Sequence, residues 1–349
     1  MRTLLGIVLC FLLPVSALSQ GPTEEPSNNT PPEPRVLTAT SHITLDIPMF
    51  GGTGNTRCDA SGDLVFDAAS LFLDHGPYLK VSADGRRHTI FTIPNQVNIA
   101  GSDIWAVSPD GTLYVLRDGS QGNQLVQFKE DGSVAGISSL EIPAHVHVQK
   151  IAVADNGTLF LAGYRSTQGE LVKPEPGFAA LYKSSGKMIH DLSDLSSEVD
   201  LLASRLPEGK TMDLTAAAKT IPEGDLIAGG DGRFYVLGSG TVQVFNQSGE
   251  ETGHFKIAKP SEDSRALRID YSAGIISVGF YTLHQPRPDL APIFRPTVVL
   301  LNASTGERRG VYAFGPDLTG TVLCYTSQEG YTLMAVDHKM AALDRVEVR

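Results

Sequence analysis

The chain has 349 residues, of which 35 are glycine and 21 proline, so the two residues that most often interrupt regular structure make up about 16% against roughly 12% in average usage. With 41% hydrophobic and 19% charged residues, the sequence is too apolar for an intrinsically disordered protein and long enough to bury a large core. A net charge of -11 argues against nucleic acid as the main partner, because a phosphate-binding surface is assembled from excess Lys and Arg.

Met1 to Ser19 reads as a secretory signal peptide: Arg2 supplies the positive start, Leu4 to Leu13 is apolar, and Pro14 breaks the run before small residues. The run is too short to span a bilayer, and no later window offers 18 consecutive apolar residues. Small residues permit cleavage after Ala17 or after Ser19. The expected address is secreted or periplasmic. Residues 20–35 hold five prolines and no aliphatic or aromatic side chain up to Arg35, and read as a disordered Pro-rich spacer. Residues 36–349 are expected to form one domain.

That domain carries an internal repeat, a glycine turn followed by an alternating strand, in six copies beginning at Gly62, Gly111, Gly157, Gly232, Gly274 and Gly330. In five copies a second hairpin follows, turning at Gly85, Gly132, Gly186, Gly249 and Gly306. Each unit is then four short strands. The first-turn glycines recur about every 54 residues, near the blade period of a propeller. The sixth copy leaves room for only three strands before the chain ends. Ser41 to Pro48, which alternates Ile43, Leu45 and Ile47 on one face, is expected to supply the missing outer strand and so close the ring. The longest interval, from Gly157 to Gly232, carries surplus residues at 196–222 that fit an elongated loop or a short helix.

Stretches such as VSPDGTLYVLRD and IAVADNGTLFLAGY make the chain resemble the six-bladed β-propellers of the NHL-repeat-like or gluconolactonase-like kind. The resemblance spans about His42 to Arg349 and implies an all-β, six-bladed β-propeller. It implies no single function, because binding modules, lyases and lactonases share this grammar.

The same resemblance implies a ligand face at one end of the central channel, formed by the loops between second and third strands and those entering each blade. It would collect Asp67, Arg117, Asp118, Arg165, His284, Asp337 and His338 from the first set, and Asn95, His145, His147 and Asp213 from the second. His145 and His147, two apart on an extended chain, would share one side and offer a metal pair. Asp67, Asn95, Asp213 and Asp337 would suit calcium, as in lactonase-like relatives, although acids and amides are also ordinary turn formers. A divalent ion, calcium or zinc, is the one cofactor these residues suggest. Cys58 and Cys324 fall on innermost strands of the first and sixth blades and are either a disulfide or two buried thiols.

No nucleophile elbow, zinc helix or phosphate loop occurs. The expectation is an exported, non-catalytic, monomeric module that binds a protein, peptide or glycan by its top face or blade edges. The alternative is a metal-assisted lactonase or lyase.

Overall fold

The computed structural model describes residues 33–45, 56–67, 77–94, 103–119, 122–165, 177–192, 224–238, 240–284, 293–315, 318, 321–326, 330–337 and 340–348. The signal segment, nearly all of the Pro-rich spacer and the 196–222 insertion lie outside them. Every described element is a strand. Two come first, β1 (Arg35–Leu37) and β2 (Ser41–Leu45). Four blades of four antiparallel strands follow. Blade 1 is β3 (Thr56–Cys58), β4 (Leu64–Asp67), β5 (Tyr78–Val81) and β6 (His88–Phe91). Blade 2 is β7 (Asp103–Val107), β8 (Leu113–Gly119), β9 (Gly122–Phe128) and β10 (Val134–Leu140). Blade 3 is β11 (Val146–Val153), β12 (Thr158–Arg165), β13 (Gly177–Lys183) and β14 (Met188–Asp191). Blade 4 is β15 (Asp225–Ala228), β16 (Phe234–Leu237), β17 (Thr241–Phe245) and β18 (Glu251–Lys256).

Blade 5, β19 (Ser264–Ser272), β20 (Ile275–His284), β21 (Ile293–Asn302) and β22 (Arg308–Phe314), is extended to five strands by β1. Blade 6 is β23 (Thr321–Thr326), β24 (Gly330–Asp337), β25 (Met340–Glu347) and, outermost, β2 from the other end of the chain. Ile43 lies opposite Leu343 in that antiparallel pairing. The innermost strands touch in a closed cycle, β3, β7, β11, β15, β19, β23 and back to β3. The molecule is a six-bladed β-propeller whose last blade is completed by the N-terminal strand.

The middle strands read as nearly continuous apolar runs because both of their faces are buried. In β13, Phe178, Ala180 and Tyr182 pack toward blade 2, whereas Ala179 and Leu181 pack toward blade 4. This two-residue alternation, repeated around the ring, divides the core into six apolar clusters, one in each seam between neighbouring blades. The outer strands pack on one face only, as the exposed, half-buried, exposed, buried pattern of His88 to Phe91 shows.

Ten of the eleven turn glycines have positive φ, the left-handed region that glycine enters without a Cβ clash. Gly330 differs: it is the first residue of β24, paired with Thr326 and Glu347. The second-turn glycines have an additional reason to lack a side chain. In blades 1 to 5 this turn tucks against the outer strand of the preceding blade, Gly85 over Ile43 and Leu45, Gly132 over Ile90, Gly186 over Ser139, Gly249 over His190 and Gly306 over Phe255. At blade 3 the contact includes hydrogen bonds from Glu141 N to Gly186 O, 3.0 Å, and from Ser138 Oγ to Ser184 O, 2.6 Å.

Candidate functional site

The innermost strands are short or bulged, which governs what they present to the channel. β11, β19 and β23 each carry a register shift, between Val148 and Lys150, Ala266 and Arg268, and Val322 and Cys324. A bulge inserts one residue and re-aims the side chains beyond it. Arg268 and Asp270, two apart on β19, form a close ion pair, Nε to Oδ2 at 3.0 Å and Nη2 to Oδ1 at 3.1 Å.

Arg57 on blade 1 makes a bidentate pair with Asp225 on blade 4, Nη1 donating to Oδ2 at 2.7 Å and Nη2 donating to Oδ1. These blades face each other across the ring. Asp225 also accepts hydrogen bonds from Leu226 N at 2.9 Å and from Ile269 N at 3.2 Å, so one carboxylate ties together blades 1, 4 and 5. Burial works to raise the Asp225 carboxyl, and the Arg57 guanidinium, aided by Lys150 and Arg268, outweighs it and brings it down to about 2. For Asp270 burial wins: its carboxyl is raised despite Arg268 and Arg57, with the Asp225 charge adding to the rise. One pocket among the described residues, lined by Arg57, Asp59, Asp270, Tyr271, Tyr325 and apolar neighbours, has a volume of about 40 Å³. That holds a few water molecules.

Beside Arg57, Cys58 is joined to Cys324 of blade 6, with Cα atoms 5.9 Å apart. At the first turn of blade 1, Lys80 Nζ lies 2.9 Å from Asp59 Oδ2 and 3.5 Å from Asp63 Oδ2, all three side chains largely withdrawn from solvent. Burial pushes the Lys80 ammonium down, and the hydrogen bonds and charges of Asp59 and Asp63 together more than reverse this.

The residues expected on the ligand face are less concentrated. Asn95, Asp213 and His338 lie outside the described residues, and of Asp118, His284 and Asp337 only the strand positions are described. Asp67 is half-buried at the end of β4, opposite Tyr78. Arg117 is buried on β8, opposite Asp103. Arg165 sits 5.8 Å above the Phe178 ring and 3.5 Å from Asp191 Oδ2. His145 and His147 do not alternate on one strand. His145 precedes β11 with φ +65, and the exposed His147 stacks on Tyr164 with ring centroids 5.1 Å apart. The left-handed residue at 145 breaks the alternation on which the expected metal pair depends. Among the described residues no three His, Cys, Asp or Glu side chains gather in a way that would hold a metal ion.

The channel residues Arg57, Asp225, Arg268 and Asp270 escaped the sequence reading, which weighted loops over strands. Their signal was present only in part: each is a charged residue in the innermost strand preceding a first-turn glycine, a position that Asp103 and Lys150 share in other blades.

No protein-family model matches the chain, and no curated protein matches it. Solved structures do resemble it. A member of the duf4221 family from Bacteroides vulgatus has a TM-score of 0.56 at 9% identity over 90% of this chain and 98% of that one. The PQQ-bound aldose sugar dehydrogenase from Streptomyces coelicolor scores 0.46 at 13% identity over 92% and 100%. A gluconolactonase from Xanthomonas campestris scores 0.37 at 13% identity over 65% and 68%. At these identities the likeness is one of fold alone.

Proposed function

We propose that the chain is an exported, non-catalytic β-propeller that binds a protein, peptide or glycan through its top face or blade edges. The observation that carries this reading is the Arg57–Asp225 pair. A channel that receives a small substrate needs polar groups aimed at the ligand, whereas Arg57 and Asp225 are spent on each other across the ring and the pocket beside them has about 40 Å³. This supports a working surface on the top face or the blade edges. Export rests on the signal-like start at Met1 to Ser19 and the Pro-rich segment behind it.

Two measurements test the reading. Purified chain should return saturable ligands from peptide and glycan arrays while hydrolysing no lactone above the buffer rate, with calcium or zinc added or withheld. Lactone hydrolysis that required the metal and fell on Asp225→Asn would overturn it. N-terminal sequencing of exported material should begin at Leu18 or Gln20; an intact Met1 in a cytosolic fraction would overturn the export assignment.

A further inference from the structure

The six seams of the ring are not held alike. Ala60 N donates to Pro109 O at 3.1 Å between blades 1 and 2, and Glu141 N donates to Gly186 O between blades 2 and 3. Asn156 Nδ2 donates to Gln247 Oε1 at 2.6 Å between blades 3 and 4, and Ile269 N donates to Asp225 Oδ2 between blades 4 and 5. Between blades 5 and 6 the Ser277 and Tyr331 hydroxyls lie 2.8 Å apart. There blade 6 has no second hairpin, and β1 lies along β22 in its place. Aromatic pairs reinforce four of these seams: Tyr78 with Trp105, Phe160 with Phe234, Tyr235 with Tyr271, and Phe314 with Tyr331.

The seam between blades 6 and 1 carries the covalent bond instead. Its apolar cluster, built on Leu45, Leu64, Phe66, Leu79 and Leu343, has the fewest buried members of the six among the described residues, and Phe66 is its one ring. The strand that brings Cys58 to it, β3, is three residues long. Local opening begins where buried apolar contact is least, so this is the seam that depends most on its disulfide. Cys58 also adjoins Arg57, and both cysteines line the small pocket beside that arginine. A movement of β3 away from blade 6 therefore pulls on the Arg57–Asp225 pair.

We infer that the Cys58–Cys324 disulfide is a redox-sensitive clasp: a dithiol reductant opens the ring at the seam between blades 6 and 1, turns it into an arc of folded blades and draws Arg57 away from Asp225. Cys58 is half-buried and Cys324 only 1% exposed, so the reductant meets the Cys58 sulfur first. Its thiolate attacks there, the S–S bond breaks, and Cys324 leaves as a thiolate that takes up a proton. The second thiol of the reductant, as thiolate, then displaces Cys58 from the mixed disulfide. Two electrons and two protons pass to the protein, and the reductant ends as a disulfide. The arc keeps its five other seams, and in a chain of structural repeats each unit is held by its neighbours, so the blades stay folded. β2, whose Ile43 and Leu45 pack in the parted cluster, loosens with the seam. An oxidising compartment keeps the clasp shut.

The test uses the full chain with and without dithiothreitol, read by hydrogen exchange of each strand and by the mass added on alkylation. After reduction, amides of β2, β3 and β23 should exchange at least about tenfold faster, while those of β12 and β13 in blade 3 keep their rates. Reoxidation should restore slow exchange. A Cys58→Ser, Cys324→Ser variant should match the reduced chain without any reductant; should it fail to fold, the reduced unaltered chain decides. Asp225→Asn should shift the urea midpoint of the oxidised chain more than that of the reduced chain, where Arg57 has already left its partner. Two alkylated thiols with exchange unchanged overturn the inference, as does reduction that speeds exchange in all six blades together. A disulfide that dithiothreitol reaches only at the rate of global unfolding overturns it too, and equal Asp225→Asn shifts in the two redox states overturn the release of Arg57.

Discussion

Arg57 and Asp225, 168 residues apart in sequence, meet across the centre of the ring and join blade 1 to blade 4 through two parallel hydrogen bonds. Asp225→Asn keeps the shape but strands the guanidinium, and should cost about 3 kcal/mol, the low end for a broken buried pair because Arg57 keeps 21% of its side-chain exposure. Adding Arg57→Met to Asp225→Asn should recover about 1 kcal/mol or more of that loss, since no guanidinium is then stranded opposite an amide and the Asn oxygen still accepts from Leu226 N and Ile269 N. Denaturant titration checks both values. A double variant as unstable as the single one would show that the pair itself, and not the stranded charge, matters.

The same pair sets a pH dependence. The Asp225 carboxyl is lowered to about 2 in the folded chain, against about 3.9 when unfolded, so its contribution is complete above about pH 4 and disappears as pH falls toward 2. Asp270, raised by burial, has the opposite sign and favours the fold as pH falls. The stability gap between the unaltered chain and Asp225→Asn should therefore shrink between about pH 4 and pH 2, as measured by urea midpoints at each pH. A constant gap would contradict the lowered carboxyl.

Cys58 and Cys324 join the innermost strands of blades 6 and 1 at the seam that β2 closes on the outside. Their sequence separation of 266 makes the constrained loop very long, so Cys58→Ala with Cys324→Ala should lose up to about 5 kcal/mol, chiefly through a freer unfolded chain. Calorimetry of the paired variant measures this. Because Arg57 adjoins Cys58, the variant should also lose part of the Arg57–Asp225 coupling in a double-mutant cycle.

Gly186 and Gly122 separate two reasons for glycine. Both have positive φ, but a Cβ at Gly186 would overlap the Ser139 carbonyl oxygen, whereas one at Gly122 meets nothing within 4 Å among the described residues. Gly122→Ala should cost about 1 kcal/mol from backbone strain alone, and Gly186→Ala about 3 kcal/mol because the seam must also part. Similar melting temperatures for the two would mean that the seam yields freely.

Lys80 is 7% exposed and held by Asp59 and Asp63. Lys80→Met should destabilise the chain by about 3 kcal/mol by leaving Asp59 buried without its cation. Since the folded-state ammonium is raised, the lysine's contribution is complete below about pH 10 and is lost as pH rises beyond it. The gap between the two proteins should narrow only at strongly alkaline pH, which chemical denaturation across pH 8 to 11 measures.

The ring was legible because each blade is a local unit. Asp110-Gly111 and Asn156-Gly157 mark tight turns wherever they occur, and the apolar runs around them record strands buried on both faces. The outer strand of blade 6 was legible for the converse reason, a chain that ended one strand short while Ile43 and Leu45 alternated without a partner. β1 carried no such mark. Arg35, Val36 and Leu37 border a proline-rich stretch, and only the absence of a sixth second hairpin, a property of the closed ring, gives them a place.

The candidate site was read less well, because a repeat shows which residues occupy loops but not which side chains meet across a channel. His145 and His147 suited a metal pair by spacing, and a left-handed backbone at His145 removed the alternation that the pairing assumed. The sequence alone determined the blade count, the turn positions and the ring closure, all consequences of periodicity over a few tens of residues. Tertiary structure alone decided that Arg57 meets Asp225, that Cys58 reaches Cys324 and that β1 fills the odd seam. Those contacts join residues 168 or more positions apart, and only the curvature of a finished ring brings them within bonding distance.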